Sequence, residues 1–355
     1  MSDTLNPPRK RQAVTIKHVA AEAGVSLQTV SRVINNGPNV TPAVKERVKA
    51  AIEKLKYVPS LAARGLSGSR SYLILALNDK EPTVEGWREG RGNDWIDQML
   101  LGGMLRSADF GYRMLFELVD SHSGKMIEQI EAALLSLRPD GVILTPPHTE
   151  NQAISDLLSR YGVPFARLGS RGGEDGFSIA MDDAAAASAA VDHLHGLGHR
   201  RIGFITGSPE YRASEDRLAG FRDTMHKHQC LDEGLIEPGD FSYQAGAEAT
   251  RRLLALDNPP TAIIASSGEM ALAVLGVARE QRIAVPDALS IVSFDDTPTM
   301  RLTLPPLTAI RQPIAPMAAT AAELLITVKN GEAQERSHIL PFELIVRQST
   351  APCPR

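Results

Sequence analysis

From Thr15 to Asn36 the chain reads TIKHVAAEAGVSLQTVSRVINN, two short runs of helical spacing on either side of a Gly-Val-Ser corner. Ile16, Val19, Ala20 and Ala23 recur at i, i+3, i+4 and i+7, the spacing of one buried stripe, and Thr15 is placed to cap it. Gly24 supplies the backbone freedom of a tight corner. Ser26 caps a second run in which Val30, Val33 and Ile34 face inward, while Leu27, Gln28, Ser31, Arg32 and Asn35 stay outside. Thr41-Pro42 opens a third run, with Val44, Val48, Ile52 and Leu55 on its core side. Three short helices around one small core are predicted, the first two forming a helix-turn-helix. A short helix that buries β-branched residues and exposes Gln, Ser, Arg and Asn suits a major groove, where amide and guanidinium groups pair with base edges.

After Ser71 the period changes. YLILAL (72–77), RMLFELV (113–119), DGVILTP (140–146), TAIIAS (261–266) and LSIVSFDD (289–296) read as strands. Between them WIDQMLLGGMLRSADFGY, KMIEQIEAALLSLRP, DRLAGFRDTMHKHQ, AGAEATRRLLAL and EMALAVLGVARE read as helices, and ASAAVDHLHGLGHRRIGFITG runs from helix into strand. The alternation predicts two doubly wound parallel sheets in tandem enclosing a cleft. Ligands of such sheets bind beyond the carboxyl ends of the strands, so the residues just after strands are the informative ones.

Charge sharpens this division. Of 355 residues, 1–70 carry 12 Lys/Arg against 4 Asp/Glu, a net of +8, and the rest carry 26 against 38, a net of −12. A basic head on an acidic body predicts a polyanion partner for the head alone. The two cysteines, Cys230 and Cys353, have no metal or redox spacing, and no apolar run approaches a membrane span. A soluble, cytoplasmic protein is expected.

The stretches VTIKHVAAEAGVSLQTVSRVINN and VTPAVKERVKAAIEKLKYVPSLAARGLSG resemble the head of the LacI/GalR family of bacterial transcription regulators. The resemblance implies that Leu27 and Gln28, with Arg32 one turn on, read operator bases. Thr15, Ser26, Thr29 and Asn35 would mainly hold phosphates, with Ser31 on the same face. His18 stands where the family usually has Asp, so a completed capping box is not expected. Residues 58–70 match the family's hinge, in which Leu66 would wedge between base steps in the minor groove, and Ala62 and Ala63 would let two hinge helices approach. Gly65, in place of the commoner Ser, lowers the hinge's own helical tendency.

HLHGLGHRRIGFITG, DRLAGF and VSFDDTPTMRLTLPPLTAIRQP extend the resemblance to about Thr350, over a fold shared with periplasmic sugar-binding proteins. It implies a head at 14–57, a hinge at 58–70 and a core at 71–355. Lobe 1 would take about 71–181 and 312–341, and lobe 2 about 182–311 and 342–355, with crossings near Met181, Arg311 and Pro341. Arg217 matches the arginine that grips effector hydroxyls or a carboxylate, and Asp295 the carboxylate that accepts sugar hydroxyls. Ser267-Gly268 departs from the commoner Asn-Asp. An insertion, NDKEPTVEGWREGRGNDW (78–95), carries both tryptophans as loop residues. Trp95 is placed to stack on a pyranose face, Asn93 and Asp94 to reach hydroxyls, and Arg88 and Arg91 to stay solvated.

His193, His195 and His199 match a structural corner of the family, so no metal is expected. GSRGGEDG lacks the strand and helix context of a phosphate loop. No catalytic constellation can be assembled from the motifs, so the protein is not expected to be an enzyme. The expected function is a homodimeric repressor that binds double-stranded operator DNA. It would need no cofactor and be released by a small sugar-like effector. Two alternatives stand beside this: a regulator of the same family with a non-sugar ligand such as a nucleobase, and a solute-binding transport protein.

Overall fold

The computed structural model describes residues 14–34, 37–57, 70–88, 94–172 and 175–354. They fall in two compact units, Met1–Tyr72 and Leu73–Arg355. Asn35, Ala62, Ala63, Gly65, Leu66, Arg91 and Asn93 lie outside the described residues.

In the first unit, α1 (Ile16–Ala23), α2 (Leu27–Ile34) and α3 (Pro42–Leu55) pack around Val19, Val30 and Val48, none of which is exposed. Tyr57 closes this core after α3. Gly24 ends α1 at φ 64°, the left-handed cap the corner requires. The reciprocal half of the capping box of α1 forms despite His18, because the imidazole replaces the expected carboxylate: Thr15 N–H donates to His18 Nδ1 at 2.9 Å. Any side chain with an acceptor at this reach can satisfy the orphan donor. Pro42 occupies the first turn of α3, while Thr41 makes no side-chain cap bond.

The second unit holds two six-stranded sheets. The first sheet has β1 (Leu73–Asp79), β2 (Arg113–Val119), β3 (Gly141–Leu144), β4 (Phe165–Leu168), β5 (Phe177–Ala180) and β11 (Ser337–Ile339), all parallel, in the order 11-5-4-3-1-2. The second has β6 (Ile202–Ile205), β7 (Ile236–Glu237), β8 (Ala262–Ala265), β9 (Ser290–Phe294), β10 (Thr308–Arg311) and β12 (Glu343–Ile345), in the order 12-10-9-8-6-7, with only β12 antiparallel. The continuous apolar runs of β1, β3, β8 and β9 are buried along their whole length, as strands covered on both faces must be.

Helices α4 (Lys80–Arg88), α5 (Asp94–Asp109), α6 (Met126–Leu137), α7 (Gln152–Arg160) and α13 (Ile314–Lys329) accompany the first sheet. The second has α8 (Asp183–Gly196), α9 (Arg212–Lys227), α10 (Tyr243–Leu254), α11 (Gly268–Glu280) and α12 (Pro298–Leu302). The chain passes between the sheets three times, at 181–182, 312–313 and 340–342. Helix α13 returns to the first lobe so closely that a Cβ on Gly102 of α5 would lie 1.9 Å from Ala315 O. In the second lobe a Cβ on Gly220 of α9 would lie 2.1 Å from Ala184 O of α8. Helices α7, α12 and α13 and strands β4, β5, β7, β10, β11 and β12 are not among the elements predicted.

The 78–95 segment corrects the sequence reading, because Lys80–Arg88 is helical and not a loop. Thr83 Oγ1 donates to Asp79 O at 2.5 Å. Pro82 is tolerated because first-turn N–H groups have no partner within the helix. Trp87 packs on Phe116, with ring centroids 5.8 Å apart.

The histidine corner is tied to the C-terminal tail. His199 is fully buried; its Nε2–H donates to Ala351 O at 3.0 Å, leaving Nδ1 to accept from Thr261 Oγ1 at 2.8 Å. His193 Nε2 pairs with Thr350 Oγ1 at 3.0 Å. Burial pushes both imidazoles below the ordinary histidine range. The unfolded chain therefore binds protons first as pH falls, and stability present above about pH 6.5 is lost below it, by up to about 1.4 kcal/mol per pH unit for each histidine. Thermal melts should hold level near pH 8 and fall below about pH 6.5. The fall should be shallower in His199→Asn; an unchanged slope would place the acid sensitivity elsewhere.

Candidate functional site

The head presents one polar face. Leu27 is 43% exposed, and Gln28 and Arg32 are exposed beside it, while Val30 and Val33 hold the opposite side of α2 in the core. Ser26 Oγ accepts from Thr29 N–H at 3.1 Å and pairs with Thr29 Oγ1 at 2.9 Å, which fixes the start of α2. Thr15 sits exposed at the start of α1, and Ser31 is half-buried. The first turn of α2 has no acidic residue, so its remaining N–H groups leave a positive helix end for a DNA phosphate. With Gln28 and Arg32 free to reach base edges, Arg32→Ala is expected to cost about 1–3 kcal/mol on operator and little on unrelated duplex. Equal losses on both in a gel-shift titration would make Arg32 a phosphate contact.

Between the lobes of the second unit lies a cleft of about 470 Å³. Arg217, on α9, is buried at its base. Its Nε donates to Asp183 Oδ1 at 2.7 Å, Nη1 to Ser266 O at 2.7 Å and Nη2 to Gln312 Oε1 at 3.1 Å. The guanidinium also lies 4.2 Å from the centroid of the Phe294 ring. Asp295 follows β9 in a left-handed conformation, φ 72°, and accepts from Gly268 N–H at 3.2 Å and from the Gln312 amide. Burial pushes the carboxyls of Asp183 and Asp295 up, against the opposing pull of Arg217.

The Ser267-Gly268 departure has a structural use. Ser267 Oγ accepts from Met270 N–H at 3.2 Å and donates to Phe241 O at 3.1 Å, so its hydroxyl caps α11. The next N–H, of Gly268, then reaches Asp295. Asp296, second of the pair, turns away from this network. Although burial pushes its carboxyl up, hydrogen bonds from Arg311, Arg347 and Arg301 hold it below the usual range, with ion-pair distances of 2.8, 2.6 and 3.2 Å.

The first lobe contributes Asp94 and Trp95 from the first turn of α5, and Asn78, Asp79 and Thr145 from the ends of β1 and β3. Thr145 Oγ1 donates to Asn78 Oδ1 at 2.9 Å, and Ser121 Oγ to Asp79 Oδ1 at 2.8 Å. Across the cleft Tyr211 meets Phe241 edge to face at 5.3 Å. Burial, aided by the charge of Asp79, pushes the Tyr211 phenol up to about 12, so it remains a donor at neutral pH. The structure thus brings Trp95, Arg217, Ser267 and Asp295 to one cleft; Trp87 and Arg88 are not part of its lining. Sequence reading missed Asp183, Gln312, Asn78, Asp79 and Tyr211. The position rule for strand ends was the available signal for Asn78 and Asp79.

Seven carboxylates line the cleft, among them Asp79, Asp94, Asp240 and Asp295, against two guanidiniums, Arg212 and Arg217. Such a lining accepts hydroxyl donors and repels anions, and the aromatic rings offer flat apolar faces.

Residues 15–60 match the bacterial regulatory proteins of the lacI family, and residues 191–350 the periplasmic binding protein-like domain. The chain is 33% identical over 348 residues to the HTH-type transcriptional regulator CelR of Thermobifida fusca, covering 96% of this chain and 99% of that one. It is similar to the solved transcriptional regulator CelR-cellobiose complex, at TM-score 0.70 and 30% identity over 95% of this chain and 99% of the other. The Lac repressor dimer bound to operator and the anti-inducer ONPF superposes at TM-score 0.80, with 27% identity over 96% and 100% of the two chains. These relatives are regulators and not enzymes, and no helix among the described residues is long and apolar enough to cross a membrane. With the likeness running from the first helix of the head through both lobes, the chain belongs to the LacI family of bacterial regulatory proteins.

Proposed function

We propose that the chain represses carbohydrate-utilisation genes as a cytoplasmic homodimer, and that an uncharged sugar or sugar derivative in the cleft releases it from operator DNA. The observation that carries this reading is the position of Gln312. It lies on the second crossing between the lobes, and its amide joins Arg217 to Asp295. A ligand hydroxyl that donates to Asp295 competes with the Gln312 amide, so occupancy acts on the segment about which the lobes turn. Only a ligand that favours one lobe arrangement over another shifts that balance. The solved CelR relative holds cellobiose, and the acidic, aromatic lining here suits the same chemistry of hydroxyls and flat C–H faces.

The dimer follows from the head and from the surface. One three-helix head covers a half-site only. Leu101, Met104 and Leu105 of α5 are each more than half exposed, and Leu302 at the end of α12 and Leu304 just beyond it are 82% and 75% exposed. Apolar side chains standing out on both lobes suit a partner surface that senses their relative position.

Asp295→Ala and Trp95→Ala proteins should bind operator normally. Their effector response should need concentrations raised by the equivalent of about 1–3 kcal/mol. A thermal-shift screen of sugars, uronic acids and nucleobases identifies the ligand, and a gel-shift titration reads the release. That ligand should also change the tryptophan fluorescence of the parent and not of Trp95→Ala. Normal release by both variants, with no fluorescence change in the parent, would refute the cleft site.

A further inference from the structure

A second cavity of about 510 Å³ adjoins the main cleft. The two share Asp94, Trp95, Asp295, Thr297 and Gln312, so they meet at the Trp95 side chain and the Gln312–Asp295 pair. The second cavity belongs to the crossings: Pro313 and Pro341 line it, with Gln98 of α5 and Pro298 and Arg301 of α12. Its two arginines pair with carboxylates, Arg301 with Asp296 and Arg311 with Asp296 and Glu343, and the four carboxylates of its lining, Asp94, Asp295, Asp296 and Glu343, outnumber them, which disfavours an anion. Four prolines with Ile314, Ala315 and Leu340 give it apolar walls, interspersed with polar groups such as Gln98 and Thr297. That is the mixture that suits another sugar ring.

We propose that the ligand is an uncharged oligosaccharide of at least two sugar units, lying across Trp95 with one end in the main cleft and the other in the crossing-side cavity. This rests on the reading of the cleft as a site for an uncharged sugar and adds the ligand's length. The main cleft alone has room beyond a single pyranose, and its carboxylates disfavour uronates and sugar phosphates. A unit in the second cavity rests on the segments that join the lobes, so a longer ligand holds one lobe arrangement more firmly than a monosaccharide does. Release from operator should therefore improve with chain length along with affinity.

The test is calorimetric titration of the full-length protein with linear gluco-, xylo-, manno- and galacto-oligosaccharides of one to four units, together with glucuronic acid and glucose 6-phosphate. In one series affinity should rise roughly tenfold or more between the monosaccharide and its oligomers, with the anionic sugars weaker than their neutral parents. Gln98 is exposed on α5 and lines only the second cavity. Gln98→Trp should therefore erase the gain with length and leave binding of the shortest bound member intact, with operator binding as the check that it folds. A monosaccharide bound as tightly as its oligomers, tighter binding of the anionic sugars, or a length gain untouched by Gln98→Trp would each overturn the proposal while leaving a sugar site in place. Failure of every sugar of every length to bind would overturn the sugar site itself.

Discussion

Arg217→Met is expected to destabilise the body by about 3–5 kcal/mol and to abolish effector response, because it removes one partner of a buried ion pair. The guanidinium side chain is 6% exposed and its partner Asp183 9%, so neither has water to fall back on. Without Arg217, Asp183 keeps its burial and loses the charge that opposed it, the Ser266 carbonyl loses a donor, and Gln312 loses one of its two anchors. The pH dependence identifies the cause. An aspartate whose folded-state value is raised is easiest to bury when protonated, so the deficit should grow as pH rises and shrink toward the acid side. Chemical denaturation of the variant at two pH values reads this directly. Adding Asp183→Asn should recover most of the stability, since the orphaned charge is gone, and none of the effector response. A deficit independent of pH, or one that Asp183→Asn does not relieve, would mean that Arg217 contributes mainly by packing on Phe294.

Breaking the self-association surface should have an effect of similar size on the other activity of the protein. Leu105→Glu with Leu302→Glu places a carboxylate on each lobe, at side chains already 61% and 82% exposed. Folding of the single chain should be little affected. A dimer interface cannot take in these charges without partners. Two linked heads gain on the order of 10²–10⁴ in apparent affinity over one, through effective concentration alone. The double variant should therefore sediment as a monomer and lose roughly that factor on a two-half-site operator, while its affinity for an isolated half-site stays near that of the parent. A variant that remains dimeric in sedimentation would move the interface elsewhere.

Much of this architecture is legible in the sequence, for identifiable reasons. The head is read by spacing, since each helix start is marked by Thr15, Ser26 or Thr41-Pro42 and the first corner by Gly24, and its face is exposed by the same pattern that buries Val30 and Val33. The central strands of both sheets are equally plain because parallel strands covered on both faces are apolar runs. What escapes is whatever depends on contacts distant in sequence. Strand β11 is short and pairs with β5, some 160 residues earlier, and has no local apolar signature. Gln312 and Asp183 belong to the cleft only because Arg217 lies between them in space. Helix α4 was hidden by Pro82, a residue that ends helices except in the first turn, where it happens to lie. At His18 a family habit misled, since the imidazole performs the cap that a carboxylate usually performs.

The three crossings set how this molecule can be recombined. Each lobe is assembled from separate stretches of chain that the crossings interleave, so exchanging one lobe for that of a relative requires three splices to be correct at once. Gln312, which binds the cleft network, sits on one of the junctions. The head is a single contiguous stretch that ends by Tyr72, and one splice replaces it. Shuffling of gene segments can therefore re-address an existing ligand response to a new operator in one event, whereas a new ligand preference has to accumulate by substitutions inside a body inherited whole.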